Sequence, residues 1–326
     1  MNTSLAVIGS FVQDLAFQVA EFPASGQTII GEFFTGPGGK GSNQAVAAHR
    51  QGVPTLFIGA VGDDIFAAGY RSWCEKERLL TSLLTVPGVP SGAASIVVNK
   101  SAHNAIVVAL GANDKLTAEH VLGSLAVSPE LRVILLQAES NLDAARAALT
   151  YARSKGIYTI FNPAPINPGV SADLLSVADC ITPNETEFAF LIERLTGNPF
   201  NEDLSKLSAD SIRELCAQVP TAAVLMTIGE KGSILYQREA PPKGITGIKQ
   251  GEVVRAPVIA VRPIDTTGAG DAFNGGLAAG LVRFEGDIVQ ALRYATVVAG
   301  LSIEKLGTAP AMPTRDDVEK HKHFYE

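Results

Sequence analysis

The chain has 326 residues, 46% of them hydrophobic and 18% charged, enough to bury a large core in one large domain or two smaller ones. A net charge of −7 and a pI near 5.4 argue against a nucleic-acid or anionic-membrane partner, for which a basic footprint is expected. Cys74, Cys180 and Cys216 are scattered, odd in number and without metal-ligand spacing, so they read as reduced core thiols.

In chain order, the first apolar run is Leu5–Ile8, which starts too early to leave room for a signal peptide or a membrane span. A cytoplasmic protein is expected. Residues 16–19 and 28–34, and later 93–98 and 104–108, pattern as paired, half-exposed strands. Each piece is too short for a core of its own. They predict a small β-sheet lid, inserted at about 14–36 and 92–109 in one domain spanning 1–326. Thr55–Val61, Val133–Gln137, Tyr158–Asn162, 179–182 and Ala223–Thr227 read as buried strands, with helical patterns at 44–50, 142–154, 185–195 and 211–219. This alternation predicts an α/β fold, a doubly wound and mostly parallel sheet flanked by helices, with ligands at the carboxyl ends of its strands. Residues 237–251, rich in Pro, Gly and Lys, predict an exposed loop, and His321 and His323 a solvated tail rather than a ligand pair.

Two glycine-rich segments carry the chemistry. The first is Gly36-Pro37-Gly38-Gly39-Lys40-Gly41-Ser42-Asn43-Gln44-Ala45, ahead of a small-residue helix. Its Gly36-x-Gly38-x-x-Gly41 spacing fits a dinucleotide fingerprint only formally, because that pattern belongs on the first strand-to-helix turn, here Gly9-Ser10-Phe11. A phosphate-loop NTPase needs Ser or Thr after Gly-Lys, and Lys40 is followed by Gly41. What remains is close backbone approach, a hydroxyl reader in Asn43 and a cation in Lys40, a set suited to a sugar and a transferred phosphate.

The second segment runs from Asp265 through Thr266-Thr267-Gly268-Ala269-Gly270-Asp271 to Gly276. Gly268 and Gly270 let successive N–H groups curl into one hollow, and a helix starting there adds its positive dipole end, making an anion site. Asp271 would repel a bound phosphate unless it takes a proton from a hydroxyl attacking that phosphate. Phosphoryl transfer to an alcohol follows as the leading reading. The plain alternative is an ordinary helix cap, in which Thr or Asp caps and Gly turns. Asn184 and Glu187 share one helix turn and face the same way, but they also suit a cap and a first-turn acid.

Together these segments resemble the ribokinase-like (phosphofructokinase-B) carbohydrate kinase family, and most of all its ribokinase branch. The resemblance spans nearly the whole chain in order. It takes in Gly9-Ser10 with Asp14, Gly38 to Ala45, Gly62-Asp63-Asp64, Gln137-Ala138-Glu139-Ser140 and Asn162-Pro163-Ala164-Pro165. It continues through Thr182 to Glu187, Thr227-Ile228-Gly229-Glu230-Lys231-Gly232 and Asp265 to Gly276. It implies an ATP-dependent, magnesium-requiring kinase acting on a pentose, D-ribose first. By resemblance, Asp14, Gly39, Lys40, Asn43 and Glu139 would bind the sugar. Asn184 and Glu187 would organise phosphate and magnesium through water, and Thr227 and Gly229 would line the nucleotide site. Gly268, Ala269 and Gly270 would form the anion hole and Asp271 would be the base. Asp265 and Thr266 would belong to a potassium loop closed near Gly307, and the lid strands would pair two copies into a homodimer.

Three positions depart from the pattern: Val12 where ribokinases carry an Asn that touches the sugar, Ala311 where the family often has a cation-binding Ser, and Thr296 where many carry a His near adenine. Other acceptors (2-deoxyribose, a nucleoside, a ketohexose derivative) stay open, as does a non-catalytic sugar- or nucleotide-binding protein. A dehydrogenase is more distant.

Overall fold

The computed structural model describes residues 3–101 and 103–326. Its strands are β1 (Leu5–Ile8), β2 (Val12–Val19), β3 (Glu32–Gly38), β4 (Thr55–Val61), β5 (Leu80–Thr85), β6 (Gly92–Asn99), β7 (Asn104–Ala109), β8 (Val133–Gln137), β9 (Tyr158–Asn162), β10 (Cys180–Ile181), β11 (Ala223–Thr227), β12 (Ser233–Gln237) and β13 (Val253–Ala256). Nine of them form one sheet in the order β13-β12-β11-β10-β9-β8-β1-β4-β5, and β3-β2-β6-β7 form a second. From β11 to β5 every neighbouring pair in the large sheet is parallel, and β12 and β13 add an antiparallel edge. This is the doubly wound, mostly parallel arrangement that strand–helix alternation predicts.

The β1 sequence shows why. Its four residues are all buried, and successive side chains point to opposite faces. Leu5 and Val7 join a cluster with Phe57, Leu135 and the helices Lys40–His49, Ala269–Arg283 and Ile288–Ser302. Ala6 and Ile8 join the opposite cluster with Ile58, Leu136 and the helices Leu142–Lys155 and Glu185–Thr196. A sheet buried on both faces wants continuous apolar strands, which is what these segments are. Truncating one such side chain, as in Phe57→Ala, would cost about 3–5 kcal/mol.

Several boundaries differ from expectation. The strand expected at 28–34 lies at Glu32–Gly38, because the register pairs Gln18 with Glu32 and β2 ends at Val19, leaving 28–30 beyond its end. The strand expected at 179–182 contracts to Cys180–Ile181, since the Asp179 carboxylate accepts from Thr159 N (2.8 Å) and Thr159 Oγ1 (2.7 Å). The loop 237–251 is not exposed throughout: Gln237 ends β12 and Ile248 is buried. All three cysteines are free and buried. No helix among the described residues is long and apolar enough to cross a membrane.

Candidate active site

Ten α-helices are described, and eight begin under a side-chain cap, from Asp64 and Thr117 to Asp287 and Thr314. The two without one follow the glycine-rich segments, Lys40–His49 after Gly39 and Ala269–Arg283 after Gly268. Both glycines have positive φ, 88° and 78°, a region an L side chain rarely enters. Gly39 also has no room, because a Cβ there would lie 2.6 Å from Val12 N.

The amino end of the Lys40–His49 helix is satisfied from a distance. Lys40 N donates to Glu139 Oε2 at 2.9 Å and Ser42 N to Ser10 O at 2.8 Å, while Ser10 Oγ donates to the same Glu139 oxygen at 2.5 Å. Glu139, after β8, thereby spends one oxygen holding this helix. The Ala269–Arg283 helix instead opens into a cavity of about 180 Å³. Lys40, Asn162, Ala164, Thr182, Asn184, Glu187, Thr227, Thr266, Gly268, Ala269, Gly270, Asp271 and Asn274 line it. That volume suits a transferring phosphoryl group and falls short of a whole-nucleotide site. The plain cap reading of 265–276 is thus overturned: the Asp265 carboxylate accepts from Thr267 N (2.9 Å) and Gly307 N (3.0 Å), closing the loop rather than capping the helix.

Asp271 stands in the first turn of that open end and is only 7% exposed. Two neutral amides hold its carboxylate, Asn43 Nδ2 at 2.9 Å on Oδ2 and Gln44 Nε2 at 3.0 Å on Oδ1. Gln44 is itself fixed by Gln137 Nε2, which donates to its Oε1 at 2.6 Å, and it shares its own N–H group with Asn162 Oδ1 at 3.2 Å. Asn162 donates to Thr182 O (2.8 Å), Thr182 Oγ1 to Asn274 Oδ1 (2.5 Å), and Asn274 Nδ2 to Gly270 O (2.8 Å). A buried polar chain therefore runs from the strand ends of β8 and β9 around to the helix that carries Asp271. Asn43 Oδ1 is buried and has no protein partner.

Five charged groups, Lys40, Asp14, Glu139, Glu187 and Asp271, set the local field. Burial opposes the Lys40 ammonium, but Asp271, Glu139 and Glu187 together outweigh it and hold its pKa above the ordinary value. Burial raises the Glu187 carboxyl, with Asn184 N and Lys40 opposing and Asp271 reinforcing. Asp14, on β2, is pushed up to about 6, first by burial and then by Glu139 and Asp271, against a weak hydrogen bond from Thr308 Oγ1 at 3.4 Å. Asn184 and Glu187 do form a capping box, with Asn184 N on Glu187 Oε2 and Glu187 N on Asn184 Oδ1, both at 2.9 Å. Both also line the cavity, so the capping box leaves their side chains at the site.

The structure thus gathers Lys40, Asn184, Glu187, Thr227, Thr266, Gly268, Ala269, Gly270 and Asp271 around one cavity. Asn43 and Glu139 join it through Asp271 and Lys40. Gly39 abuts the start of β2, and Asp14 reaches Thr308. Gly229, with φ 54°, begins the turn after β11, and it and Asp265 both lie outside the lining. Sequence reasoning gave no role to Ser10, Gln44, Asn274 or Thr308. The readable signal was a polar residue ending an apolar strand, as Gln137 ends β8 and Asn162 ends β9. Of the three departures, Val12 is buried, Ala311 sits in the short turn after Thr308, and Thr296 spends its hydroxyl on Leu292 O at 3.0 Å.

Comparison with known proteins bears on this site directly. A family model described as pfkB family carbohydrate kinase matches residues 2–315. A ribokinase of Haemophilus influenzae is 35% identical over 319 residues, covering 97% of each chain. A deoxyribokinase of Salmonella typhi is 32% identical over 327 residues, covering 99% of each. The structure of Arabidopsis thaliana ribokinase complexed with ribose and ATP superposes with a TM-score of 0.79 at 27% identity, covering 98% of each chain. With a family match over nearly its whole length and relatives above 30% identity, the chain belongs to the pfkB family of carbohydrate kinases.

Proposed function

We propose that the chain transfers the γ-phosphoryl group of ATP to the primary hydroxyl of a pentose, D-ribose giving ribose 5-phosphate. One observation carries this reading: a carboxylate fixed by two amides in the first turn of a glycine-led helix whose amino end opens into the cavity. Asp14, Gly39, Lys40, Asn43 and Glu139 hold the sugar, and the unpaired Asn43 Oδ1 accepts from one of its hydroxyls. Asp271 takes the proton from the attacking hydroxyl, whose oxygen bonds the γ-phosphorus as the bond to the bridging oxygen of ADP breaks. The backbone at Gly268, Ala269 and Gly270 and the Lys40 ammonium meet the charge on the transferring group.

Thr227 and Gly229 line the nucleotide side, with Asn184 beside the phosphates. The carboxylate of Glu187 at the cavity fits a water-mediated magnesium, an ion that keeps its waters and takes one or two carboxylates plus phosphate. When bound, that ion neutralises phosphate charge. Asp265 and Thr266 frame a potassium loop, supported by the tie from Asp265 to Gly307 N. The small sheet serves as a lid within a single kinase domain. It exposes Phe17, Phe33, Phe34 and Val107, and a second copy covering these gives a homodimer. We place the enzyme in the cytoplasm.

Val12 favours a second reading. A valine cannot pair with a sugar hydroxyl, and a buried unpaired hydroxyl costs about 1–3 kcal/mol. A deoxyribokinase of similar length stands among the relatives. The test is kcat/KM with ATP for ribose and 2-deoxyribose side by side. Ribose ahead supports the first reading, deoxyribose ahead the second, and turnover of neither sinks both.

A further inference from the structure

The geometry points to Asn113 as a positioning residue that pins the small sheet to the large one and so sets where Asp14 meets the sugar. The chain crosses between the two sheets four times: from β1 to β2, from β3 into the Lys40–His49 helix, from β5 to β6, and from β7 into the Gly111–Lys115 turn. All four crossings converge on one spot. Asn113 is fully buried there, and its carboxamide accepts from Phe11 N (3.0 Å) while donating to Phe11 O (2.7 Å) and Leu110 O (2.9 Å). One side chain thereby ties the first crossing to the last. Gly92, which opens β6, lies so close that a side-chain carbon there would collide with Asn113 Nδ2 and with Phe11 O. At Gly39, on the second crossing, the same carbon would stand 3.0 Å from Phe11 C.

The pin is anchored on the side of the large sheet. The Phe11 ring stacks on Tyr70 with centroids 3.8 Å apart, and Tyr70 OH donates to Ser42 Oγ at 2.9 Å in the Lys40–His49 helix. Ser91, just before β6, is held by Asp64 through its N (2.7 Å) and Oγ (2.8 Å). The Asn113 carbonyl accepts from Asn141 N at 3.3 Å, two residues past Glu139. Beyond these anchors, β2 carries Asp14 out to the sugar side. The residue type matters, because an amide offers one acceptor and a pair of donors in one plane, matching one N–H and two carbonyls. A carboxylate would set an oxygen against two carbonyl oxygens, and alanine would leave Phe11 N and Phe11 O unpaired, while Leu110 O keeps its bond from the Asn113 backbone N–H.

The inference rests on the reading of Asp14 as a sugar ligand, so Asp14→Asn is measured beside Asn113→Ala and Asn113→Asp. Ribose KM should rise about tenfold in both Asn113 variants, the effect of losing one or two buried hydrogen bonds, while ATP KM stays within about twofold. If Asp14→Asn raises ribose KM and neither Asn113 variant does, the pin is wrong. An equal rise in both KM values, or a lower Tm with ribose KM intact, also overturns it. Ribose KM unmoved by Asp14→Asn removes the underlying reading, and the pin with it. Hydrogen exchange on the wild-type enzyme tests the same point without any variant. The Phe11 amide should be equally protected with and without ribose while amides of β2 and β3 change, and loss of Phe11 protection on adding ribose would contradict a fixed pin.

Discussion

The amino end of the Ala269–Arg283 helix and the small sheet are built to opposite rules. Around Asp271, the amides of Asn43, Gln44, Gln137 and Asn162 form a buried chain anchored on strand ends, and little can move without breaking several hydrogen bonds. The small sheet has four short strands, exposes Phe33 (54%) and Val107 (73%), and holds Asp14 against the body through one long hydrogen bond from Thr308. The contrast teaches a division of labour. Charge stabilisation in phosphoryl transfer depends on donors fixed in advance, so that end is rigid. On the proposed function, the small sheet is the element that shuts water out after the sugar enters, and its thinness suits that role.

The largest effect should come from the rigid end. Asp271→Asn keeps the shape but sets an N–H group against the amide of Asn43 or Gln44, so Tm should fall modestly, while loss of the proton acceptor should lower kcat at least about 10²-fold. Wild-type kcat in that variant would remove the base assignment. At the thin end, Asp14→Asn should raise sugar KM roughly ten- to a hundredfold, the range for a hydrogen bond to a charged acceptor, and leave kcat nearer to wild type. A reversal of the two patterns would break the comparison.

The Asp14 carboxyl sharpens it further. With its pKa raised from 3.8 to about 6 by burial, it is neutral below that pH in the folded enzyme. Sugar kcat/KM should therefore fall as pH drops through about 6, and Asp14→Asn should flatten that limb. The sign for stability is opposite. The folded state binds this proton more tightly than the unfolded chain, so the stabilisation is full below 3.8 and is lost as pH rises to about 6. Titrating sugar KM in both proteins checks the first point, and Tm against pH the second.

Smaller effects probe the support. Gln44→Leu unpairs Gln137 Nε2 and one oxygen of Asp271, and should lower stability by about 1–3 kcal/mol and kcat more than sugar KM. Unchanged kcat would mean that Asn43 alone orients the base. Asn184→Ala dismantles a capping box and should cost about 1 kcal/mol in denaturant unfolding. No loss would mean that Glu187 holds the helix unaided.

The two regions were also unequally legible in the sequence. Buried parallel strands announce themselves as apolar runs, so β1, β4, β8, β9 and β11 were placed correctly from one-dimensional pattern. The edge strand β5 mixes Leu, Thr and Ser and gave no such signal, and β3 slipped because its position depends on register with β2 rather than on its own residues. At the site, Gly39 and Gly268 were readable because a positive φ there favours glycine. Gln44 and Asn113 were not, since each acts on groups far along the chain, at separations of 227 and 102 residues. Nothing in one dimension tells such an amide from a solvated one.

The most direct test of the account is the stoichiometry of turnover: ADP and sugar phosphate measured together in wild-type enzyme given ATP, magnesium and ribose. ADP should form only when the pentose is present, and in an amount equal to pentose 5-phosphate. ADP formed at the same rate without pentose, or with no phosphorylated sugar to match it, would contradict direct transfer to a sugar hydroxyl.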